Sequence, residues 1–382
     1  MQNQGSLKGI TVLDLSRLLP GPYASMILAD HGARVIAVED KRFLADGLFM
    51  TTVNRNKEHV SLNLKTDAGR EIFFKLAARS DVVMEGFRPG VVDRLGVGYE
   101  AVRQVRPDVI YCAITGYGQD GPARDRAGHD VNYLSQAGVL GLIGEPDRPP
   151  SIPGIQIADM VGGSMNAVIG ILLALHHRQR TGQGQYIDIS MTDGSLALLP
   201  LAQFFRELTG QAPRRGDMLL SHRYACYNTY ETADGRHLSI GAVENRFWKN
   251  LCAHFQVSEF APLQYDDGRR AEIITFFRRL FKTKTLDQWT EELSPLDVCF
   301  GRIQAFDEVF HDPLFIARQM VVDLPCADGK SGKALGVPVK LSASPGTVRT
   351  AAVAFGASTR SVLAELGYSQ TDINRMAAEG VV

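Results

Sequence analysis

Over the first 120 residues, short runs of consecutive apolar positions alternate with longer stretches whose apolar residues recur every three or four positions. GITVLDLS (9–16) and ARVIAVED (33–40) predict buried parallel strands, with GPYASMILADHG between them as a crossover helix. EHVSLNL (58–64) predicts a third strand, and TDAGREIFFKLAARS opens with an N-cap threonine ahead of an apolar helical face. DVVMEGF (81–87) and DVIYCAITGYG (108–118) supply two more strands, with a helix near GYEAVRQV between them. This alternation implies an α/β domain, a mostly parallel, Rossmann-like sheet covered by helices.

Residues 164–180 predict a helix, and GQYIDISMTDGSLALL (184–199) a strand followed by another helix. After about residue 210 the pattern changes. YACYNTYETADGRHLSIGAV (224–243) has two β-rich runs joined at an Asp-Gly pair, which predicts an antiparallel hairpin. The helical stretches NRFWKNLCAHF, RRAEIITFFRRLFKT and TLDQWTEELS follow, so this part reads as a smaller α+β domain. GVPVKLSASPG (336–346) predicts a strand leaving it, and the last 25 residues a helical hairpin. The expected division is a large domain over 1–205, completed by 330–382, and a small domain over 215–325.

Composition narrows the classes. The 382 residues are 45% hydrophobic and 22% charged, ordinary for a globular protein, and the net charge of −1 gives no global field for nucleic acid or an acidic membrane. The apolar run AVIGILLAL (167–175) is too short to span a bilayer and predicts a buried helix. The five cysteines are scattered without CxxC spacing, so neither a metal site nor a disulfide framework is indicated. With no signal peptide in the opening residues, the expected location is the cytoplasm.

A nucleotide site is a poor match. The first strand ends in RLLPGP rather than G-x-G-x-x-G, and Pro22 lacks an N–H for a phosphate cradle. DGKSGK (328–333) resembles a phosphate loop in composition alone.

Three residues carry the candidate chemistry. His129, in AGHDVNYLSQAG, is a turn or interior histidine on the bland reading and an acid/base group on the other. Its neighbour Asp130 projects elsewhere if the segment is extended. Asp159, in GIQIADMVGGSM, reads as a helix N-cap, or as a base or nucleophile with Gly162-Gly163 making room beside it. Glu244, in GAVENRFW, reads as a helix-start carboxylate, or as the distant group that orients His129. For a phosphate-rich ligand, Arg88 directly follows a strand, while Arg55, Lys57 and Lys65, with Lys41 and Arg42, fall near other strand ends. Tyr117 and Gln119 lie on a similar loop.

Taken together, LKGITVLDLSRLLPGPYASMILADHGARVIAVED, RNKEHVSLNLK, EGFRPGVVDRLG, TGYGQDGP and RTGQGQYIDISMTDGSLA resemble the class III CoA-transferase superfamily over nearly the whole chain. The resemblance implies two chains interlocked like links, as a homodimer or a heteromer with a related subunit. It also implies an acyl-CoA substrate, with Arg42, Arg55, Lys57, Arg88 and Tyr117 on the CoA moiety, and no prosthetic group or metal. Transferases of this superfamily use one aspartate as a nucleophile, at the position of Asp159. The α-methylacyl-CoA racemases add a histidine in GHD(I/V)NY and a glutamate in GA(I/V)E, matched here by His129 and Glu244. By that resemblance His129 and Asp159 would be bases on opposite faces of a thioester enolate, with Glu244 holding His129 and a backbone N–H near the start of the helix after Asp159 stabilising the enolate oxygen. Two departures suit a dicarboxylic or aromatic acyl group, whose carboxylate Arg223 could meet: MLLSHRYACYNTY before the hairpin, and Arg302 where proline is commoner.

Overall fold

The computed structural model describes residues 5–325 and 331–382. It divides into two compact units. The first runs through Val139 and takes in Pro153–Leu199 and Asp312–Val382, while the second comprises Leu140–Ile152 and Pro200–His311.

In chain order the first unit begins β1 (Thr11–Asp14), α1 (Pro20–Asp30), β2 (Arg34–Glu39), β3 (Lys57–Ser61), α2 (Asp67–Ala77), β4 (Val82–Glu85), α3 (Val91–Leu95), α4 (Tyr99–Val105) and β5 (Ile110–Thr115). It continues with α5 (Asp130–Gln136), a π-helical segment at Ala158–Met165 that runs into α6 (Asn166–Thr181), then β6 (Gln185–Ser190) and α7 (Met191–Leu196). The six strands form one parallel sheet in the order β3-β2-β1-β4-β5-β6. The order reverses beside β1, and in open α/β sheets the crevice outside the carboxyl ends at such a switch point is where ligands bind. Thr66 caps α2, its hydroxyl accepting the Gly69 N–H at 3.0 Å.

The second unit contains α8 (Pro200–Thr209), β7 (Tyr227–Glu231), β8 (His237–Gly241), α9 (Asn245–His254), α10 (Arg270–Phe281), α11 (Leu286–Leu293) and β9 (Phe300–Arg302). Its three strands pair antiparallel over a core that includes Tyr230, Trp248, Phe277, Phe281 and Trp289. Both buried indole N–H groups donate to carbonyls, of Phe260 (3.0 Å) and Phe281 (2.8 Å), which removes the penalty of burying them unpaired.

The chain then re-enters the first unit through α12 (Pro313–Ala317), β10 (Val321–Pro325), β11 (Ser331–Leu335), α13 (Thr359–Glu365) and α14 (Gln370–Ala378). Val362, Leu363, Ile373 and Met376 of the last two helices enter the core cluster formed by Val60, Ile72, Phe73 and Leu76.

Two sequence expectations fail. Residues 336–346 are irregular; the strand lies just before them, where β11 pairs antiparallel with β10. Pro338 and Pro345 deny a ladder its N–H donors, and the short SGKAL run showed no apolar alternation to betray the real strand. The AVIGILLAL helix is buried on one side only. Ala167, Ile171 and Ala174 are buried, and a Cβ on Gly170 would meet Ile187 at 3.0 Å, whereas Ile169, Leu172 and Leu173 are 54%, 44% and 65% exposed. The continuous helix Ala158–Thr181 is long and apolar enough to cross a membrane by length and composition. Cys326 and most of the candidate phosphate loop at 328–333 lie outside the described residues, and what is described of that loop belongs to β11.

Candidate active site

The residues after β5 build the site in the first unit. Gly116 and Gly128 flank the ring of Tyr133, leaving no room for a side chain: a Cβ on either would come within 2.4 and 2.7 Å of the Tyr133 ring. The Tyr133 hydroxyl donates to the Gly128 carbonyl at 2.5 Å, and the Tyr117 ring sits edge-on to Tyr133 with centroids 5.2 Å apart. These contacts fix the backbone of residue 129. His129 is the extended N-cap residue of α5, with its N–H donating to Asn132 Oδ1 at 3.0 Å, and its side chain is exposed.

Asp159 is not a helix cap. It lies inside the π-helical segment, with helical backbone before it at Ile157. Its N–H donates to Asp130 Oδ1 at 3.0 Å, tying the segment to the start of α5. Burial, chiefly, and the like charge of Asp130 push the Asp159 carboxyl up to about 6, against the opposing influence of His129. His129, Asp130 and Asp159 are therefore close enough to feel one another's charge. Tyr133 belongs to the same group: burial first, then Asp159 and Tyr117, push its hydroxyl up to about 12, with Arg88 acting the other way.

The glycine pair does not open space beside Asp159. A Cβ on Gly162 would lie 2.5 Å from the Met191 carbonyl oxygen, and one on Gly163 3.2 Å from Pro20 Cβ, so both glycines allow the segment to pack against α7 and α1. The expected N–H donor at a helix start after Asp159 is also missing. The helix is continuous from Ala158 to Thr181, and its amides there are internal.

Glu244 belongs to the second unit. It is the exposed N-cap residue of α9, yet its side chain caps nothing. Its turn is clamped from behind: the buried Gln264 amide donates to the carbonyls of Ala242 (3.0 Å) and Val243 (2.7 Å), and the Tyr265 hydroxyl also donates to Val243. Glu244 and Cys299 are near neighbours, since the carboxylate contributes to raising that thiol, second to burial.

The five cations and aromatics expected around CoA separate into two classes. Arg55 and Lys57 are each only 5% exposed. Arg55 pairs with both oxygens of Asp30, at 3.1 and 2.6 Å, and with the Leu335 carbonyl. Lys57 donates to the Pro22 carbonyl (2.7 Å) and Asn54 (3.2 Å), and burial depresses its ammonium to about 8. Both precede or open β3 instead of following it, so neither sits beyond a strand's carboxyl end. Arg42, beyond β2, is exposed but folded onto Asp40 at 2.9 and 2.6 Å. Arg88, beyond β4, is exposed; its carbonyl accepts the Val91 N–H at 3.1 Å, while its guanidinium makes no hydrogen bond or ion pair among the described residues. Tyr117, beyond β5, is half-buried against Tyr133.

Arg223 is likewise committed, to Asp267 through two bonds of 2.9 Å and to Asp217 at 3.4 Å, so it does not offer an idle guanidinium to an acyl carboxylate. Arg302 pairs with Asp287 and Glu308. Asp130 is the residue that sequence reasoning missed. Its signal was position: the first residue of a helix that opens at His129 turns its carboxylate away from the extended chain. Among the described residues, no cluster of three or more His, Cys, Asp or Glu side chains is placed to hold a metal ion.

A family model described as CoA-transferase family III matches residues 7–359. The chain belongs to that family. The α-methylacyl-CoA racemase of Homo sapiens is 32% identical, with 99% of this chain and 97% of that protein covered. The succinyl-CoA–D-citramalate CoA-transferase of Chloroflexus aurantiacus is 33% identical, with 98% of each covered. The crystal structure of a CAIB/BAIF family protein from Brucella suis superposes with a TM-score of 0.84 at 29% identity, covering 96% of this chain and all of that one. The protein is thus an enzyme of the class III CoA-transferase superfamily acting on acyl-CoA, and its relatives include both racemases and transferases.

Proposed function

We propose that this protein is a 2-methylacyl-CoA racemase-type enzyme, moving a proton on and off the α-carbon of an acyl-CoA thioester with His129 and Asp159 as the two bases. The observation that carries this reading is the elevated Asp159 carboxyl beside His129. A racemase runs one transfer in both directions, so its bases work best at similar proton affinity. Raising the aspartate to about 6 lets it hold a proton as well as remove one near neutral pH, as both directions require. A carboxylate serving only as a nucleophile has no use for its protonated form.

In this reading one base removes the α-proton, the C–H electron pair moves into the thioester carbonyl to give an enolate, and the other base delivers a proton to the opposite face. The enolate oxygen needs hydrogen-bond donors, usually the largest stabilising contribution. We assign that role to the amides of Asp130 and Val131 in the first turn of α5, which have no acceptor among the described residues, whereas the Asn132 N–H donates to the His129 carbonyl. Glu244, on a turn gripped by Gln264 and Tyr265, serves as a positioning residue. Arg88, Arg42 and Tyr117 bind the CoA moiety, while Arg55 and Lys57 support the loops from inside. The assembly is an interlocked homodimer, or a heteromer with a related subunit. In favour of it, the exposed apolar residues on α6 and those on α8 (Leu201, Phe204 and Leu208) need a cover.

The second reading is a CoA transferase that passes CoA to a free acid through an acyl intermediate on Asp159. It rests on the transferases matched at the same identity as the racemases. Incubation in D₂O with 2-methylacyl-CoA, and no acceptor acid, separates the two. Enzyme-dependent α-deuterium uptake with inversion is expected. Absence of uptake, with a new thioester appearing once succinate is added, would falsify the racemase reading.

A further inference from the structure

The second unit carries a cationic groove that the chemistry above does not use. Two hollows of about 640 and 800 Å³ run along one side of α10, between that helix and the loops near residues 146 and 216. They share Pro146, Asp147, Gly216 and His222, so they adjoin. Some of the lining charges are neutralised in place. Lys282 pairs with Glu231 at 2.8 Å and Arg270 with Asp217 at 2.6 Å, and Arg223 is held by Asp217 and Asp267. Four guanidinium groups are not. Arg214, Arg278 and Arg279 have no carboxylate partner among the described residues, and Arg215 donates only to the carbonyls of Gly141, Glu145 and Arg148. Against them stands Asp147, the one lining carboxylate without a cation among the described residues.

We infer that this groove is a binding site for a small molecule carrying two or more phosphate groups. A chain of net charge −1 that gathers this many unpaired cations in one concave place holds a local potential opposite to its overall sign. Each hollow falls within the size range of small-molecule sites, which favours a compact ligand over a flat macromolecular face. Guanidinium groups pair bidentately with phosphate oxygens, and the uncompensated charge exceeds what a single dicarboxylate neutralises. The cradle is also stiff. Arg215 ties the two loops together through its three carbonyl contacts, and a Cβ on Gly216 would lie 2.5 Å from Pro146 Cδ. At the join, His222 holds a left-handed backbone (φ 61°) with its ring on Asn228 at 3.0 Å, a strained conformation of the kind that clusters at ligand clamps.

The test is calorimetric titration of the full chain with inorganic pyrophosphate at low salt, repeated with adenosine 3′,5′-bisphosphate and with succinate. Saturable binding of both phosphate compounds is expected, steeply weakened by salt, with succinate at least about tenfold weaker. Arg278→Ala/Arg279→Ala should weaken pyrophosphate by about tenfold at an unchanged melting temperature. If that variant fails to fold, Arg214→Gln on the opposite wall should give a smaller loss in the same direction. Arg360→Ala, at an exposed cation of the other unit outside the CoA-binding set, should leave pyrophosphate binding as it was. The inference is overturned by the absence of saturable binding to the unaltered protein, by equal binding of succinate, by undiminished binding in both groove variants, or by loss of binding in the Arg360 variant.

Discussion

Asp159 and Glu244 are both carboxylates proposed for the same reaction, and their surroundings differ in almost every respect. Asp159 is half-buried inside a helix, with its own amide tied to another carboxylate and its proton affinity raised. Glu244 is exposed on a tight turn, where a buried glutamine and a tyrosine grip the backbone around it and leave the side chain alone. The contrast separates two ways of preparing a functional group. One tunes the chemistry of the group by desolvation and like charge. The other fixes the position of the group through the backbone that carries it, which suits a positioning residue.

Removing each carboxylate tests that contrast most sharply. Asp159→Asn should lower kcat by about a thousandfold or more under either reaction, because it removes a base or a nucleophile outright. His129→Ala should do the same to α-deuterium exchange while CoA binding stays within about twofold; CoA transfer that survives this change but dies in Asp159→Asn refutes the pairing of the two as bases. Glu244→Gln should cost less, about 10- to 100-fold in exchange, because it removes orientation and not the proton carrier.

A smaller effect isolates position from charge. Gln264→Ala keeps Glu244 but strips two hydrogen bonds from its turn. We expect exchange to fall about tenfold with KM for acyl-CoA nearly constant. Gln264→Glu restores side-chain size without the amide donors, and should not rescue the rate. Full activity in Gln264→Ala would show that the turn holds its shape without the clamp.

How far the sequence reveals this molecule depends on whether the relevant physics is local. The parallel sheet was legible because its central strands β4 and β5 are buried on both faces and read as apolar runs of their own. His129, Asp159 and Glu244 were legible as candidates from motif resemblance, but locally both carboxylates looked like helix starts. Only tertiary structure shows that the residues before Asp159 are already helical and that Gly162 and Gly163 serve packing. Arg55 and Lys57 misled for a related reason. A cation in a polar stretch reads as solvated, and nothing nearby in sequence announces that Asp30 and the Pro22 carbonyl come to meet it. The role of Asp130 depends on one residue of register, the step at which extended chain becomes α5. Such steps are the least securely read feature of a sequence.

The mildest change addresses tuning itself. Because the folded Asp159 carboxyl titrates near 6 and an unfolded aspartate near about 3.9, the native state holds its proton more tightly between those values. Stability contributed by that proton is present below about 4 and is lost as pH rises through about 6. In the direction in which Asp159 abstracts the proton, its base form appears over the same interval, so the acid limb of kcat/KM should rise through about pH 6 while this share of stability declines. Asp130→Asn preserves the acceptor for the Asp159 N–H and removes the like charge, the lesser cause of the shift after burial. The acid limb should then move down by less than about one pH unit, and the native-state titration of Asp159, followed by carboxyl NMR, should move with it. A limb that stays put while the carboxyl resonance shifts would assign the kinetic step to a different group. A limb and resonance that both stay put would leave burial as the whole cause of the elevated Asp159 and reduce Asp130 to a tether.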